Sequence, residues 1–559
     1  VSQVSKNKTV QSIVELASLH GVQDVLLSPG SRNAPLIISF DASDSFRCLS
    51  VLDERSAGFI ALGMAQQTRK PVILCCTSGS AVLNYAPALA EAYYQRVPLV
   101  VITTDRPPQW IDQGEGQTIR QVGALDAVVE KCFALELDSD DTLTQNQQKI
   151  DAAFALAVES SRPVQINVPL DEPLYDFEDG LPLGLSIAPN SPDQSELSVT
   201  EMDDYETMWN GASRILILVT QHNQPEEIRE SLARLSKDPR VVIVTETNAN
   251  LYQMDYVSCI DRTLAAFQNH DAEQDYIPDL LITLGHNIIS KKFRAFIRKH
   301  GDSVLHHWQF GREQEDTFLT LTHHISVSAN RVLSRLSVKD GLELKPFGAL
   351  WKSAFFRNEQ GHQAFLSSAP YSDLKVFESI LDLVPPGAVF QMGNSSVVRY
   401  VQLFNQIRDI SYFGNRGVSG IEGCTSTAVG SALANKSMHL FVSGDQAFRY
   451  DSNALALVKE VPNLKIIVVN NGGGNIFRII PGPTNHRSSD AFIEKKDNST
   501  MERWAAASGV VYLSASSLEE FEEAAVSLFA TTECTMLEVF TPSEVSPEVL
   551  ANYFNFLSP

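Results

Sequence analysis

Asp445 and Asn471 have the types and spacing to hold a metal ion together with a phosphorylated ligand. The first stands in Val442-Ser443-Gly444-Asp445-Gln446-Ala447-Phe448 and the second in Val468-Val469-Asn470-Asn471-Gly472-Gly473-Gly474. Each segment closes a run of apolar, β-favouring residues, Met438 to Val442 and Leu464 to Val469. Two buried parallel strands would carry these polar ends to one sheet edge, which is where ligands bind in open α/β folds. Asp445 offers a carboxylate, Asn471 an amide oxygen, and Gly473 and its neighbours free carbonyls and close backbone approach. This oxygen-only set is what Mg²⁺ takes beside phosphate oxygens. The same residues also fit a simpler arrangement, in which Asp445 caps a helix from about Asp451 to Val461 and the glycines form a turn.

Glu54 and four arginines are the other candidates. Glu54 stands where the strand Cys48 to Leu52 gives way to a helix, in Glu54-Arg55-Ser56-Ala57-Gly58-Phe59. Buried among Ala57, Phe59 and Ile60, its carboxyl is expected to have a raised pKa. The alternative is a first-turn glutamate stabilised by the helix dipole, worth about 0.3 to 1 kcal/mol. Arg32, Arg106, Arg399 and Arg416 all fall on strand-end loops and are expected to converge on one sheet edge. Guanidinium forks bind carboxylates bidentately, so such a site favours substrates with several carboxylates. Taken singly, each arginine also fits a structural ion pair, for example Arg106 with Asp105.

The elements that must position these residues are read from hydrophobic patterning. A chain of 559 residues with 44% apolar and 20% charged residues is globular and long enough for about three domains. Alternating strand and helix patterns over 1–183 predict a doubly wound parallel sheet, with strands near 24–27, 48–52, 71–76 and 99–103. A polar, proline-bearing linker at 184–204 includes Ala188-Pro189-Asn190-Ser191-Pro192-Asp193. A second α/β domain at 205–338 has strands near 215–219, 241–245, 280–284 and 304–308, and its first strand ends in Thr220-Gln221-His222-Asn223 without a Gly-x-Gly-x-x-Gly fingerprint. A connector at 339–373 leads to a third domain, 374–559, with strands near 388–391, 409–413, 438–442, 464–469 and 536–540. The fold class is therefore α/β, three doubly wound domains with central parallel sheets.

Composition excludes some partners. Lys plus Arg number 44 against 67 Asp plus Glu, a formal net charge of −23, which argues against nucleic acid and anionic membrane surfaces. No window has the length of a bilayer span and the N-terminal segment has no signal-peptide core, so a soluble, cytoplasmic protein without membrane insertion is expected. The seven cysteines are scattered in apolar surroundings and read as reduced core residues. His306-His307 and His323-His324 lack carboxylate or Cys partners at ligand spacing and read as satisfied strand histidines.

The Gly-Asp and Asn-Asn pair resembles the signature of thiamine diphosphate-dependent enzymes, with Gly444-Asp445-Gln446 in place of the usual Gly-Asp-Gly. Further segments, Ser28-Pro29-Gly30-Ser31-Arg32-Asn33-Ala34-Pro35-Leu36, Thr104-Asp105-Arg106-Pro107-Pro108, Gly393-Asn394-Ser395-Ser396-Val397-Val398-Arg399, Gly414-Asn415-Arg416-Gly417 and Asn475-Ile476-Phe477, resemble one family within that group. This is the 2-succinyl-5-enolpyruvyl-6-hydroxy-3-cyclohexene-1-carboxylate synthases of menaquinone biosynthesis. The resemblance spans all three domains and is weakest in the middle one.

It implies a thiamine diphosphate-binding fold, with a pyrimidine domain first, a diphosphate and metal domain last, and Mg²⁺ or Mn²⁺ as the ion. It implies a transferase that decarboxylates 2-oxoglutarate and adds the succinyl carbanion to isochorismate in a 1,4-addition. Glu54 would be the catalytic carboxyl at the aminopyrimidine, and Ser419, Ile421, Gly444, Asp445, Gln446 and Asn471 would contact the cofactor. Asp445, Asn471 and Gly473 would hold the metal. Ser31, Arg32, Arg106, Gln117, Lys292, Ser395, Arg399, Arg416, Ile476 and Phe477 would bind substrates. The Ser290-Lys291-Lys292 run departs from the family's Gly-Lys-Arg, which leaves Lys291 and Lys292 as alternatives for the inward cation. Glutamate and diphosphate sites meet across a subunit interface in such enzymes, so a homodimer or homotetramer is implied.

Overall fold

The computed structural model describes residues 3–180, 182–187, 197–222, 224–253, 255–267, 273–339, 346–479, 486 and 488–558. The proline-bearing stretch expected as a linker at 188–193, together with Asn223, lies outside these residues.

Three sheets organise the chain. The first is six-stranded and parallel, in the order Arg47–Ser50, Asp24–Leu27, Val72–Cys76, Leu99–Asp105, Val164–Pro169, Cys132–Ala134. The third is also six-stranded and parallel, in the order Ser411–Gly414, Val389–Met392, His439–Gly444, Leu464–Asn470, Thr535–Phe540, Val511–Ala515. Counted along the chain, both sheets run second, first, third, fourth, sixth, fifth. The strand order therefore reverses at the same place in each, and that reversal opens a crevice at the carboxyl ends of the strands. The middle sheet is five-stranded and parallel, in the order Val241–Thr245, Ile215–Val219, Leu280–Leu284, His306–Phe310, His323–Ile325. Central strands such as Val72–Cys76 and Leu464–Asn470 are buried along their whole length, as parallel strands covered on both faces must be.

Six helices position the candidate residues: α1 (Glu54–Thr68), α2 (Ala86–Gln95), α3 (Lys291–Lys299), α4 (Asp373–Leu383), α5 (Cys424–Ala434) and α6 (Asp445–Tyr450). Helices α1 and α5 bury a face against each other between the first and third sheets, where one hydrophobic core includes Phe59, Ile60, Met64, Val429, Phe441 and Phe448. Glycines make this approach possible. A Cβ on Gly430 would lie 1.9 Å from the Ile60 carbonyl oxygen, and one on Gly63 2.0 Å from that of Thr427. Where a connector was expected, a 20-residue helix, Phe347–Leu366, packs Trp351 and Phe355 into the core of the middle unit.

The histidine pairs lie in strands as expected: His307 bonds through its two ring nitrogens to Thr283 (3.1 Å) and Thr320 (3.0 Å). All seven cysteines are free thiols, five of them buried. Among the described residues no helix is long and apolar enough to cross a membrane.

Candidate functional site

Asp445 opens α6 directly after the strand His439–Gly444. It is 2% exposed, and its Oδ2 has no hydrogen-bond partner among the described residues; Arg449 Nη2 lies at 3.6 Å, within ion-pair range but beyond a hydrogen bond. Burial pushes its carboxyl up to about 7, against the pull of Arg449. A buried carboxylate oxygen left unpaired is what a divalent cation would satisfy. The alternative role as cap for a helix at 451–461 is not observed: that segment is a 3₁₀ run, Ser452–Glu460, and Asp445 makes no side-chain cap.

Asn471 directly follows the neighbouring strand and is also buried. Its Nδ2 donates to Asp373 Oδ2 at 3.0 Å, which leaves Oδ1 as the free acceptor. The Gly473 carbonyl accepts Asn475 N–H at 2.9 Å and keeps a second lone pair. At Gly473, φ is +143°, and a Cβ there would meet the Glu494 carbonyl at 2.9 Å. The donor set and the orphaned Asp445 oxygen thus fit a divalent metal bound to a diphosphate. Gln446, the departure from the usual glycine, gives its side-chain amide to the carbonyls of Glu494 (2.7 Å) and Lys495 (3.0 Å). It fastens the segment that covers the glycine loop, where Gly474 N–H also donates to Glu494 O at 2.6 Å.

Seven of the predicted residues share one cavity of about 480 Å³: Ser395, Arg399, Arg416, Ser419, Ile421, Ile476 and Phe477. Arg416 is 9% exposed, and its Nη1 donates to Asn394 Oδ1 at 2.9 Å. Arg399 Nη1 donates to the Ser395 carbonyl. Neither arginine forms an ion pair among the described residues, and burial lowers the pKa of both. The loops carry backbone strain, with φ of +71° at Ser395 and +65° at Ser419, a left-handed conformation that costs roughly 1–2 kcal/mol for a non-glycine residue. Ser419 is held there by Glu91, whose carboxylate accepts the N–H groups of Gly417, Val418 and Ser419 at 2.5, 2.8 and 3.1 Å.

The middle unit supplies a wall that sequence reasoning largely missed. Asn287, Ile289, Lys291, Arg294 and Thr317 line the same cavity. Asn287 Nδ2 donates to the carbonyls of Arg416 (2.9 Å) and Gly417 (2.6 Å). Glu246, fully buried, accepts the N–H groups of Ile289 and Ser290 at 2.8 to 3.0 Å and so fixes the start of α3. Of the two alternative lysines, Lys291 lines the large cavity and Lys292 does not. Both border an adjoining one, in which Lys292 stands 3.3 Å from the centroid of the Phe554 ring. One residue rotates a helical side chain by about 100°, enough to separate them.

The residues of the first unit form a separate group. Arg32 is 5% exposed and donates to the Leu170 carbonyl at 2.5 Å and to Glu172 at 3.2 Å; burial and then Arg106 depress its pKa. Arg106 donates its backbone N–H to Asp105 at 2.8 Å and Nη2 to the Gly116 carbonyl at 3.3 Å, while its Nε is buried without a hydrogen-bond partner among the described residues. Ser31 and Gln117 are exposed beside them. The expected convergence of four arginines is therefore corrected within one chain: they divide two and two, because the segments that carry them follow strands of different sheets, and Arg399 sits not on a loop, as expected, but in the short helix Ser396–Val401. Glu54 opens α1 with Asp53 as its cap, which accepts the N–H groups of Arg55 (3.0 Å) and Ser56 (3.3 Å). Its Oε2 accepts from Asn84 Nδ2 at 3.2 Å, and the side chain is half-buried rather than enclosed by Ala57, Phe59 and Ile60, since those residues point into the α1–α5 contact.

Comparison with known proteins agrees with this geometry. Residues 7–124 match the family described as thiamine pyrophosphate enzyme, N-terminal TPP binding domain, and residues 392–539 match the corresponding C-terminal TPP binding domain. Proteins named 2-succinyl-5-enolpyruvyl-6-hydroxy-3-cyclohexene-1-carboxylate synthase are similar over nearly the whole chain. That of Flavobacterium johnsoniae is 39% identical over 98% of both chains, and that of Flavobacterium psychrophilum 38% over 98% of both. That of Porphyromonas gingivalis is 36% identical over 100% of this chain and 98% of its own. The chain belongs to the 2-succinyl-5-enolpyruvyl-6-hydroxy-3-cyclohexene-1-carboxylate synthase family, among the thiamine pyrophosphate enzymes.

Proposed function

We propose that the protein decarboxylates 2-oxoglutarate and joins the resulting succinyl unit to isochorismate by 1,4-addition, releasing CO₂ and 2-succinyl-5-enolpyruvyl-6-hydroxy-3-cyclohexene-1-carboxylate. One observation carries the reading: Arg399 and Arg416 line a cavity with no carboxylate partner among the described residues, in a chain of net charge −23. Two depressed guanidinium groups that avoid the chain's own acids favour a substrate that brings carboxylates of its own. Both substrates are dicarboxylates.

Thiamine diphosphate, when bound, supplies the electron sink for decarboxylation and carbon–carbon bond formation. Asp445, Asn471 and the Gly473 carbonyl would hold its diphosphate through Mg²⁺ or Mn²⁺, and Ser419 and Ile421 would contact its pyrimidine. Glu54 would share a proton with the pyrimidine ring nitrogen. Arg399, Arg416 and Ser395 would orient the substrate carboxylates, while Ile476 and Phe477, in the same cavity, would exclude water.

The separation into two groups supports self-association. Exposed Leu52, Leu83 and Tyr450 adjoin this group: Leu52 stands two residues before Glu54, Leu83 precedes its partner Asn84, and Tyr450 lies under the Arg55 guanidinium at 5.2 Å. A second copy covering this apolar rim would bring Glu54, Arg32 and Arg106 to the cavity of its neighbour, as a homodimer or a dimer of dimers. The test is a product assay with purified protein, thiamine diphosphate, Mg²⁺, 2-oxoglutarate and isochorismate, followed by mass spectrometry of the adduct. CO₂ release from pyruvate at a rate equal to that from 2-oxoglutarate, with no isochorismate adduct, would overturn the reading.

A further inference from the structure

Asp373 lies outside every segment that pointed to the cofactor, yet it touches the metal site. It opens α4, is 1% exposed, and its backbone N–H donates to Ser546 Oγ at 3.0 Å. Its Oδ1 accepts two hydroxyl groups, Thr541 Oγ1 at 2.5 Å and Ser546 Oγ at 3.1 Å. Its Oδ2 faces Asn471, whose Nδ2 donates to it at 3.0 Å. An asparagine amide has one donor end and one acceptor end, and rotation by half a turn exchanges them at almost no steric cost. Only its neighbours decide which end faces a ligand. A carboxylate whose other oxygen is already taken by two hydroxyl donors accepts and does not donate, so it selects the Nδ2 end of Asn471 and turns Oδ1 the other way. A cation accepts only that end.

We propose that Asp373 is a positioning residue that fixes the orientation of the Asn471 amide so that Oδ1 faces the divalent cation. The inference rests on the reading that Asn471 helps hold that ion. Outer partners that orient metal ligands typically contribute about 10- to 100-fold in metal affinity.

The experiment titrates Mg²⁺ into the full-length protein at saturating thiamine diphosphate and follows intrinsic fluorescence. Metal-free melting temperatures are recorded for each variant. Asn471→Ala tests the site itself: an unchanged Mg²⁺ affinity removes Asn471 from the metal and takes the proposal with it. Asp373→Asn is expected to weaken Mg²⁺ by about 10- to 100-fold, because an amide at 373 no longer selects one end of Asn471. The exchange variant D373N/N471D is decisive. Its amide at 373 donates to a carboxylate at 471, whose other oxygen faces the ion, so affinity should return to within about threefold of the parent. If Asn471→Ala loses Mg²⁺ while Asp373→Asn binds it as the parent does, the metal site stands and the role of Asp373 falls. If Asp373→Asn is weakened and the exchange does not restore binding, the loss reflects packing and the proposal is overturned. Should the single variant not fold, the exchange variant is read alone, and a tenfold deficit counts against the proposal.

Discussion

The carboxylate of Glu91, on α2, accepts the backbone N–H of Ser419 at 3.1 Å in the loop that follows Ser411–Gly414, the second strand of the third sheet along the chain. Gly417 and Val418 donate to the same carboxylate, and Gln95 Nε2 bridges Glu91 (2.6 Å) and the Gly414 carbonyl (3.1 Å). Burial pushes the Glu91 carboxyl up, and the hydrogen bonds from Gln95 and the three N–H groups pull it back. Glu91→Ala would leave three N–H groups without their acceptor, at about 1–3 kcal/mol for each that water does not reach. Glu91→Gln keeps one acceptor oxygen. The alanine variant should melt many degrees lower. The glutamine variant should stay folded but bind thiamine diphosphate about tenfold more weakly, because the Ser419 strain is no longer fully compensated. Thermal denaturation and cofactor titration check both, and equal cofactor affinity in parent and glutamine variant would detach Glu91 from the site.

Glu246 makes a pH prediction with a definite sign. Burial raises its pKa from an unfolded value of 4.5 to about 7, against the pull of the Ile289 and Ser290 N–H groups and of Arg416, while Asp261 adds to the rise. Between these values the folded chain holds a proton that the unfolded chain has lost. Its contribution is therefore fully present below pH 4.5 and is lost as pH rises through 7. The change is of order 3 kcal/mol. Glu246→Gln cannot ionise, so it should gain stability relative to the parent between pH 5 and pH 8. Denaturant midpoints of the two proteins at both pH values give the comparison, and parallel shifts would exclude Glu246 as the source.

The α1–α5 crossing predicts a reversal of the usual helix propensity. Gly→Ala within a helix normally stabilises by up to about 1 kcal/mol. At Gly430 the added methyl would lie 1.9 Å from the Ile60 carbonyl oxygen, so the helices must separate. Overpacking of this kind costs about 1–3 kcal/mol or more. Gly430→Ala should lower the melting temperature, whereas Gly509→Ala, where a Cβ meets nothing within 4 Å among the described residues but φ is +74°, should lower it less. A stabilised Gly430→Ala would show that the contact is looser than described.

Much of this site is legible in the sequence because its residues lie within a few positions of apolar runs that only buried parallel strands explain. Arg399 and Arg416 follow Val389–Met392 and Ser411–Gly414 in this way, and Asp445 and Asn471 follow their own strands directly. The supporting residues are not legible. Asp373 is 98 positions from Asn471, and Glu91 is 326 from Gly417; a side-chain acceptor for a distant amide or backbone N–H leaves no local pattern. The strand Val164–Pro169 is hidden for another reason. Gln165 and Asn167 make it look half-exposed, yet both are buried, and their amides donate to Thr103 and Asp105 at 2.9 Å.

The choice between Lys291 and Lys292 shows the same limit at the scale of one residue. Ser290 Oγ accepts the Phe293 N–H at 3.0 Å and sets the helix start, so the phase of α3 follows from a cap rather than from the Lys-Lys run itself. Lys291 then faces the cavity with Arg399 and Arg416, and Lys292 rests on Phe554, where burial lowers its pKa. Lys292→Ala loses a desolvated cation–π contact worth about 2 kcal/mol, so it should lower thermal stability while KM for both dicarboxylates stays within about threefold. Lys291→Ala removes an exposed cation with little packing, so stability should hold. A substrate carboxylate left facing that gap should raise KM about tenfold, and Arg399→Ala, which removes a half-buried fork, should raise it by 30-fold or more, in line with about 2–5 kcal/mol for a desolvated charge pair. If Lys292→Ala raises KM and Lys291→Ala does not, the substrate carboxylate occupies the adjoining cavity of about 270 Å³ beside Phe554.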